Sequence, residues 1–389
     1  MKILAISPRI PEEDKKGDQV LSFHRLSFLA RTHEIKVVCF GDPKKDLEAK
    51  RKLEAIGISV KLIHFSKLLA AINLLRVLVM DETPFQCALF KSADFQKAVN
   101  EIFAEFKPDV VYAITIRPLV NLRGYVGPLF VDLIDSMALN FSRRVEMATG
   151  LQRYLLNAEY KRVRLYERNV ARLATHSFVV SSIDQRVINC DKISAIPLGV
   201  DEQQFYKKTD PCRDPVIIFT GNMNYKPNVD AILWFYVHCW GKLKKVCSEV
   251  RLVIAGSNPT NEVTSLCSDE FVIVTGRVPS LAAMINSARI SIAPMQSGSG
   301  MQFKILEAMA CGVPVVATSL GLGDIGAKAG KDLMIADTSD SFVESLYLLL
   351  KSDDLHTRIG YSGFQYVNKH HTWDVLNAKF ESTIISKLS

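Results

Sequence analysis

Short runs of apolar, mostly β-branched residues alternate with longer amphipathic stretches along the whole chain. Runs at 3–6, 35–40, 60–65, 110–116, 129–134 and 177–180 predict strands in the first half. Runs at 216–219, 250–254, 272–274, 290–293, 313–317 and 333–335 predict strands in the second. Most are continuously apolar rather than alternating, as parallel strands covered on both faces require. Helical periodicity fills the gaps, for example over 21–30, 94–106 and 230–247. The repeated βα rhythm predicts an α/β fold with two doubly wound parallel sheets, one in each half. Between them, residues 200–215 are polar and hold two prolines, which predicts a linker there. The expected division is a first domain over 1–205, a second over 206–370 and a terminal helix over 371–389. In that helix Trp373, Leu376, Phe380, Ile384 and Leu388 recur at helical spacing, the pattern of a helix packed on a core.

Length agrees: 389 residues exceed a typical domain by a factor of about two to three. Composition is that of a globular chain, with 48% hydrophobic and 23% charged residues. The net charge of +7 is unevenly placed. Residues 1–200 carry 30 Lys and Arg against 22 Asp and Glu, whereas residues 201–389 carry 18 against 19. A dense basic run (Arg143, Arg144, Arg153, Lys161, Arg162, Arg164, Arg168, Arg172) contributes much of the excess. It is either a solvated face or a surface for an anionic partner such as lipid headgroups or a pyrophosphate-linked acceptor. No nucleic-acid-binding module accompanies it, so nucleic acid is not an expected partner.

The eight cysteines are scattered without CxxC or zinc spacing, the usage of a reduced, cytoplasmic protein. The N-terminal apolar run is too short for a signal peptide. The greasiest stretch, 62–80, is interrupted by His64, Lys67, Asn73 and Arg76, so it is not a membrane span. It is a helix packed on its own domain or one lying on a membrane surface.

Chemistry concentrates in APMQSGSGMQFKILEAMACGVPVVAT, residues 293–318. A strand ending at Ala293 runs into a loop with Gly298 and Gly300, then a helix from about Met301 to Ala310. Glycines ahead of a helix let backbone N–H groups and the positive dipole end hold a phosphate. Lys304 and Glu307, three apart, share a face near that helix start, among apolar neighbours. A carboxylate in such a setting needs a partner, which a lysine and ribose hydroxyls would supply.

This segment resembles the signature of the family 4 retaining glycosyltransferases, which have the GT-B fold: two Rossmann-like domains facing a central cleft. The family pattern has two glutamates separated by seven residues, the second within a KxxEAMAxGxPVV run. Glu307 matches the second, whereas Ser299 stands at the first. Other stretches resemble the family over most of the chain. FTGNMNYKPN (219–228) is similar to the opening of the donor domain, where Gly221 and a basic residue, here Lys226, approach the donor diphosphate. Asn222 replaces an arginine often found there. IPLGVD (196–201) resembles the domain-junction turn, and TGRV (275–278) the strand end that receives the nucleotide base, which implicates Arg277 and Val278. The stretch from Pro8 through Gly17 and Asp18, with Phe23, His24 and Arg25, resembles the loop and helix facing diphosphate and acceptor. VDLIDS (131–136) resembles the strand end bordering the acceptor.

The resemblance implies transfer of a sugar from a nucleotide-sugar donor, with retention of configuration. The acceptor would be a cell-surface glycan or a lipid-linked one. Lys226, Lys304 and the backbone of Gly298, Ser299, Gly300, Met301 and Gln302 would stabilise the departing diphosphate. Its oxygen would help deprotonate the acceptor, so a side-chain base is not obligatory; Asp135 and His24 are the candidates, and Arg117 could hold an anionic group. No Asp-x-Asp triad occurs, so neither a metal nor another cofactor is expected. The implied place is the cytoplasm or the cytoplasmic face of a membrane, and the terminal helix is implied to return to the first domain. Ser299 and Asn222 also leave open a nucleotide-sugar-binding protein without transferase activity, and the fold leaves open an epimerase. GLGDIG (321–326) matches GxGxxG but lacks the following helix, so a nicotinamide site is rejected; under the resemblance this loop covers the donor.

Overall fold

The computed structural model describes residues 1–388 except 14, 16, 81, 82, 211 and 298–300, with the side chains of 78–80 also left undescribed. The chain divides into two compact units, Met1–Leu198 with Leu376–Ser389, and Gly199–Val375.

The first unit is a seven-stranded, wholly parallel sheet of β1 (Lys2–Ser7), β2 (Glu34–Phe40), β3 (Ser59–Ile63), β4 (Val110–Ile114), β5 (Leu129–Ile134), β6 (His176–Val179) and β7 (Ile193–Ala195). Strand order is 3-2-1-4-5-6-7, so the order reverses between β1 and β4. Its helices are α1 (Asp18–Leu29), α2 (Leu47–Ala55), α3 (Lys67–Met80), α4 (Phe85–Ala88), α5 (Ala93–Phe106), α6 (Met137–Met147), α7 (Gly150–Leu173) and α8 (Ser182–Ile188). The continuous apolar runs are explained by burial on both sides. In β1, Ile3 and Ala5 enter one layer with Leu26 and Leu29, while Leu4 and Ile6 enter the other with Phe95, Val99 and Ile102. Each of the larger side chains among them contributes about 1.5–3 kcal/mol on burial. Helix α5 shows the local logic. Ser92 caps it by accepting the Phe95 N–H, its apolar face is buried, and it ends at left-handed Lys107 before Pro108.

The second unit is a six-stranded parallel sheet of β8 (Val216–Thr220), β9 (Arg251–Ala255), β10 (Val272–Gly276), β11 (Ile290–Ala293), β12 (Val315–Ala317) and β13 (Met334–Ile335), in the order 10-9-8-11-12-13. The reversal falls between β8 and β11. Its helices are α9 (Lys226–Phe235), α10 (Gly241–Val246), α11 (Asn261–Thr264), α12 (Leu281–Asn286), α13 (Phe303–Ala310), α14 (Ser319–Leu322), α15 (Ser339–Lys351) and α16 (Asp353–His370), followed by α17 (Trp373–Leu388). Ile217, Phe219, Leu252 and Ile254 pack one face with Phe235 and Leu243, whereas Ile218, Val253 and Ala255 pack the other with Ile305, Leu306 and Met309. From Leu376 onward α17 belongs to the first unit, where Leu376, Phe380 and Ile384 are buried with Leu26, Tyr112 and Phe178.

Several boundaries differ from expectation. Residues 199–205, expected with the first domain, belong to the second unit, as do 371–375. The Val200 N–H donates to the His371 carbonyl at 2.7 Å, and Gly199 lies so close to Trp373 that a Cβ would stand 2.7 Å from its backbone. The expected linker therefore starts as packed chain, with Val200 and Phe205 in the core. Strand β4 stops at Ile114 because Thr115 turns to φ 62. Strand β12 begins at Val315 rather than Val313, after Pro314. The 230–247 helix carries a π segment at Tyr236–Trp240 between α9 and α10. Strand β7 is an addition; its three residues are too short and mixed to register as an apolar run. Among the described residues no helix is long and apolar enough to cross a membrane.

Candidate functional site

In open parallel sheets, ligands bind beyond the carboxyl ends of the strands at the point where the order reverses. In the second unit that point carries the loops after β8 and β11, and these hold most of the candidate donor residues. The loops after β8, β9 and β10 are laced together: the Gly221 N–H donates to the Ala255 carbonyl and the Gly256 N–H to the Gly276 carbonyl, both at 3.1 Å. Gly256, at φ 153, permits this approach, since a Cβ there would fall 1.7 Å from the Gly221 carbonyl oxygen.

Lys304 on α13 is buried, and its ammonium donates to Asn228 Oδ1 at 2.6 Å, 4.2 Å from the Phe219 ring centroid and 3.7 Å from Met295 Sδ. Asn228 Nδ2 donates in turn to the Asn222 carbonyl at 3.0 Å. Asn222 Oδ1 accepts the Asn224 N–H, so the residue in the arginine's place builds the turn. Glu307, half-buried, lies one turn beyond Lys304. Burial pushes Lys304 down to about 7 and Glu307 up to about 7, each opposed by the charge of the other. Gln302 and Met301 are half-buried, and Gln302, the residue before α13, supplies no side-chain cap; its carbonyl accepts the Ile305 N–H at 3.0 Å, and a helix start of this kind suits an anion. Gly298, Ser299 and Gly300 lie outside the described residues.

Lys226 is placed differently. It opens α9 as an exposed residue paired with Asp230 one turn on, so the buried cation of this site is Lys304. Arg277 is exposed and Val278 half-buried beyond the end of β10. Gly321 of the GLGDIG loop lies against the Ala293 carbonyl, and a 3-10 turn rather than a long helix follows it.

In the first unit the reversal point carries the loops after β1 and β4, beside the end of β5. Gly17 precedes α1 at φ 65, and Asp18, its first residue, lies 3.8 Å from the Arg9 guanidinium. Arg117 donates to Gln86 Oε1 at 3.0 Å. Burial draws Arg117 below its ordinary value, with Asp18 pulling upward, Arg9 downward, and Asp135 upward. These four charges thus form one group. Asp135 accepts from Asn140 Nδ2 at 2.8 Å; its side chain is open to solvent, yet crowding by neighbouring protein raises its carboxyl. Two β-branched residues sit at positive φ beside this group, Thr115 at 62 and Ile134 at 67. Such strain is uncommon and gathers at ligand sites. His24 lies farther along α1 with its ring edge-on to Phe23. Arg25 is buried in an ion pair with Asp132, which also accepts from Tyr112.

Sequence reasoning missed Asn228, Gly256 and Arg9. The Lys-Pro-Asn opening of α9 was the available signal for Asn228, but its partner is 76 residues away.

Two doubly wound parallel sheets with these switch-point loops constitute the GT-B fold. Residues 214–352 match the family described as glycosyl transferases group 1. A 44.6 kDa protein in the cps region of Klebsiella pneumoniae is 21% identical over 392 residues, covering 95% of this chain and 96% of the relative. Anabaena HepE in complex with UDP is 14% identical with a TM-score of 0.66, covering 99% of this chain and 100% of that one. Sucrose-phosphate synthase from Thermosynechococcus elongatus is 12% identical with a TM-score of 0.65, covering 99% of each chain.

Proposed function

We propose that the chain is a retaining, metal-independent glycosyltransferase that moves a sugar from a nucleotide-sugar donor to an acceptor hydroxyl in polysaccharide or lipid-linked glycan synthesis. The observation that carries this reading is the buried Lys304 with the half-buried Glu307 one turn on, at the start of α13 and the switch point of the second sheet. Glu307, ionised, accepts from the donor's ribose hydroxyls. Lys304, charged, and the α13 N–H groups face the diphosphate, where negative charge develops in the transition state. The anomeric carbon–oxygen bond breaks with its electron pair going to the diphosphate. The acceptor oxygen bonds to that carbon on the same face, and its proton passes to the departing oxygen. HepE has been solved with UDP and with UDP-glucose, which makes uridine donors the first to try. The cps-region relative supports a polysaccharide acceptor, and the free cysteines support a reducing, cytoplasmic location.

The test is incubation with a panel of nucleotide sugars and glycan or lipid-linked acceptors, with and without EDTA, following nucleotide release and product anomer by NMR. Acceptor-dependent release that EDTA does not affect, with a retained anomer, is expected. An inverted product, or loss of turnover in EDTA, would overturn the corresponding part. The Lys226–Asp230 pair favours a second reading, donor binding without transfer, since it engages the cation expected at the diphosphate. That reading predicts nucleotide-sugar binding with no turnover under any of these conditions.

A further inference from the structure

The candidate donor residues lie beyond the carboxyl ends of the second sheet's strands, but a cavity opens at the opposite edge. It measures about 300 Å³ and sits where the chain enters β11 and β12, with Ala288 and Val313 supplying apolar lining. The rest of the lining comes from residues 207–212, from the ends of α12 and α13, and from the first half of α16. All of these belong to the second unit. The volume is at the lower end for small-molecule sites, roughly 300–1,000 Å³.

Its polar groups are held in place by the surrounding chain. Gly312 follows α13 at φ 69, and the Lys207 stem lies across it, so that a Cβ there would stand 2.8 Å from Lys207 Cγ. Gly360 of α16 packs against the Gly312 carbonyl. Asn286 is buried and donates to the Tyr206 carbonyl at 3.0 Å. Its side chain also meets the Cys311 thiol, which burial pushes up to about 12 and so keeps neutral. His356 is buried, with Nε2 2.8 Å from the Arg289 carbonyl. A carbonyl only accepts, so Nε2 carries the proton there. Burial draws the ring below its ordinary value, against the raising effect of that bond, and in the neutral ring Nδ1 is an acceptor. Thr357 and Tyr361 add hydroxyls to the lining, and Lys207 and Lys208 add two cations. Nearby acids are largely engaged: Asp353 pairs with Arg289 and Asp214 with Arg251. Within residues 207–214 that sets Lys207, Lys208 and Arg213 against Asp210.

We propose that this cavity is a second ligand site, which binds a sugar monophosphate. Lys207 and Lys208 take the phosphate, whose two charges and three acceptor oxygens suit a pair of adjacent ammonium groups. His356 accepts from a sugar hydroxyl, and Thr357 and Tyr361 exchange hydrogen bonds with others. Helix α13 carries Lys304 in its first turn and is followed by Cys311 at the cavity, about 10 Å farther along at 1.5 Å per residue. The two sites therefore lie at opposite edges of one sheet, and the cavity stands independently of the donor chemistry.

The experiment is calorimetric titration of the full chain with glucose 6-phosphate, with glucose and with inorganic phosphate, each in the absence and presence of saturating UDP. Glucose 6-phosphate binds alike in both conditions, about tenfold or more tightly than glucose or phosphate. Lys207→Ala/Lys208→Ala weakens that binding about tenfold or more, whereas Lys207→Arg/Lys208→Arg retains it. Thr357→Trp, an exposed position turned into a bulky one at the cavity, abolishes it. Circular dichroism and thermal unfolding identify any variant that has failed to fold, and the lysine variants, at exposed positions, carry the test if Thr357→Trp is one. Absence of glucose 6-phosphate binding, its displacement by UDP, or variants that bind as the wild type does overturns the proposal. So does inorganic phosphate that binds as tightly as glucose 6-phosphate, since the lysines would then collect anions without the cavity. A failure of UDP itself to bind bears on the proposed function alone.

Discussion

The ammonium of Lys304 donates to Asn228 Oδ1 at 2.6 Å, joining the first turn of α9 to the first turn of α13 across the switch point of the second sheet. Phe219, Met295 and the Asn222 carbonyl complete the surroundings of the pair. Lys304 is thereby held in one position before any ligand arrives, and a site that neutralises charge without reorganising needs that preorganisation.

Asn228→Ala leaves the buried Lys304 ammonium without its acceptor, and the expected loss of stability is about 1–3 kcal/mol. Asn228→Asp places a carboxylate against the ammonium and raises the Lys304 pKa. The alkaline limb of the activity profile moves up in the Asp variant relative to wild type. Urea unfolding and pH–rate profiles measure the two effects.

Gly256→Ala pushes a methyl group into the Gly221 carbonyl oxygen, and the loops after β8 and β9 must part to accommodate it. Overpacking of this kind costs about 1–3 kcal/mol. Calorimetric titration with UDP should show weaker binding than in the wild type.

Most of the fold, and part of the candidate site, is legible in the sequence. Apolar runs marked twelve of the strands, most of them continuous, because parallel strands buried on both faces tolerate little else. The runs could not show where each strand stops. The Val110 run continues apolar to Ile116, yet the backbone leaves the sheet at Thr115, a choice set by tertiary context. Lys304 and Glu307 were readable because both partners lie on one helix at a spacing that aligns them. Asn228 was not, since hydrogen bonds between distant segments leave no periodic trace. Likewise Lys226 had the right charge in the right loop, but its pairing with Asp230 is a matter of side-chain direction. The returning α17 was visible as a periodic helix, and only the family resemblance suggested which unit it joins.

Asp132→Ala isolates Arg25 in the core of the first unit, where Arg25 also lies 4.4 Å from the Phe380 ring. Breaking a buried pair in this way costs about 3–5 kcal/mol. Phe380→Ala removes the ring that packs on Arg25, Tyr112 and Phe178, at a cost of about 3–5 kcal/mol. Denaturant unfolding, with limited proteolysis to report release of α17, checks both.

Glu167 gives the first unit a pH signature. Burial raises its carboxyl to about 7 against the lowering effect of its hydrogen bonds from Ser136, Ala138 and Met137. The folded pKa exceeds the unfolded one, so the folded state holds the extra proton. The associated stability is full below about 4.5 and is lost as pH rises through about 7. Wild type minus Glu167→Gln stability should therefore fall by about 3 kcal/mol between these limits. Urea midpoints for both proteins across that range supply the comparison. A difference independent of pH would show that Glu167 titrates normally.

Under the proposed function, Glu307 and Lys304 hold a nucleotide-sugar donor for transfer. The most direct test is calorimetric titration of UDP into wild type and Glu307→Gln, paired with nucleotide release from UDP-sugars by the same two proteins. Loss of a charge-assisted pair of ribose hydrogen bonds, about 1.5–3 kcal/mol, predicts binding weakened by about tenfold to a hundredfold, with turnover falling at least as far. Glu307→Gln protein that binds UDP and turns over donor as the wild type does would contradict the account.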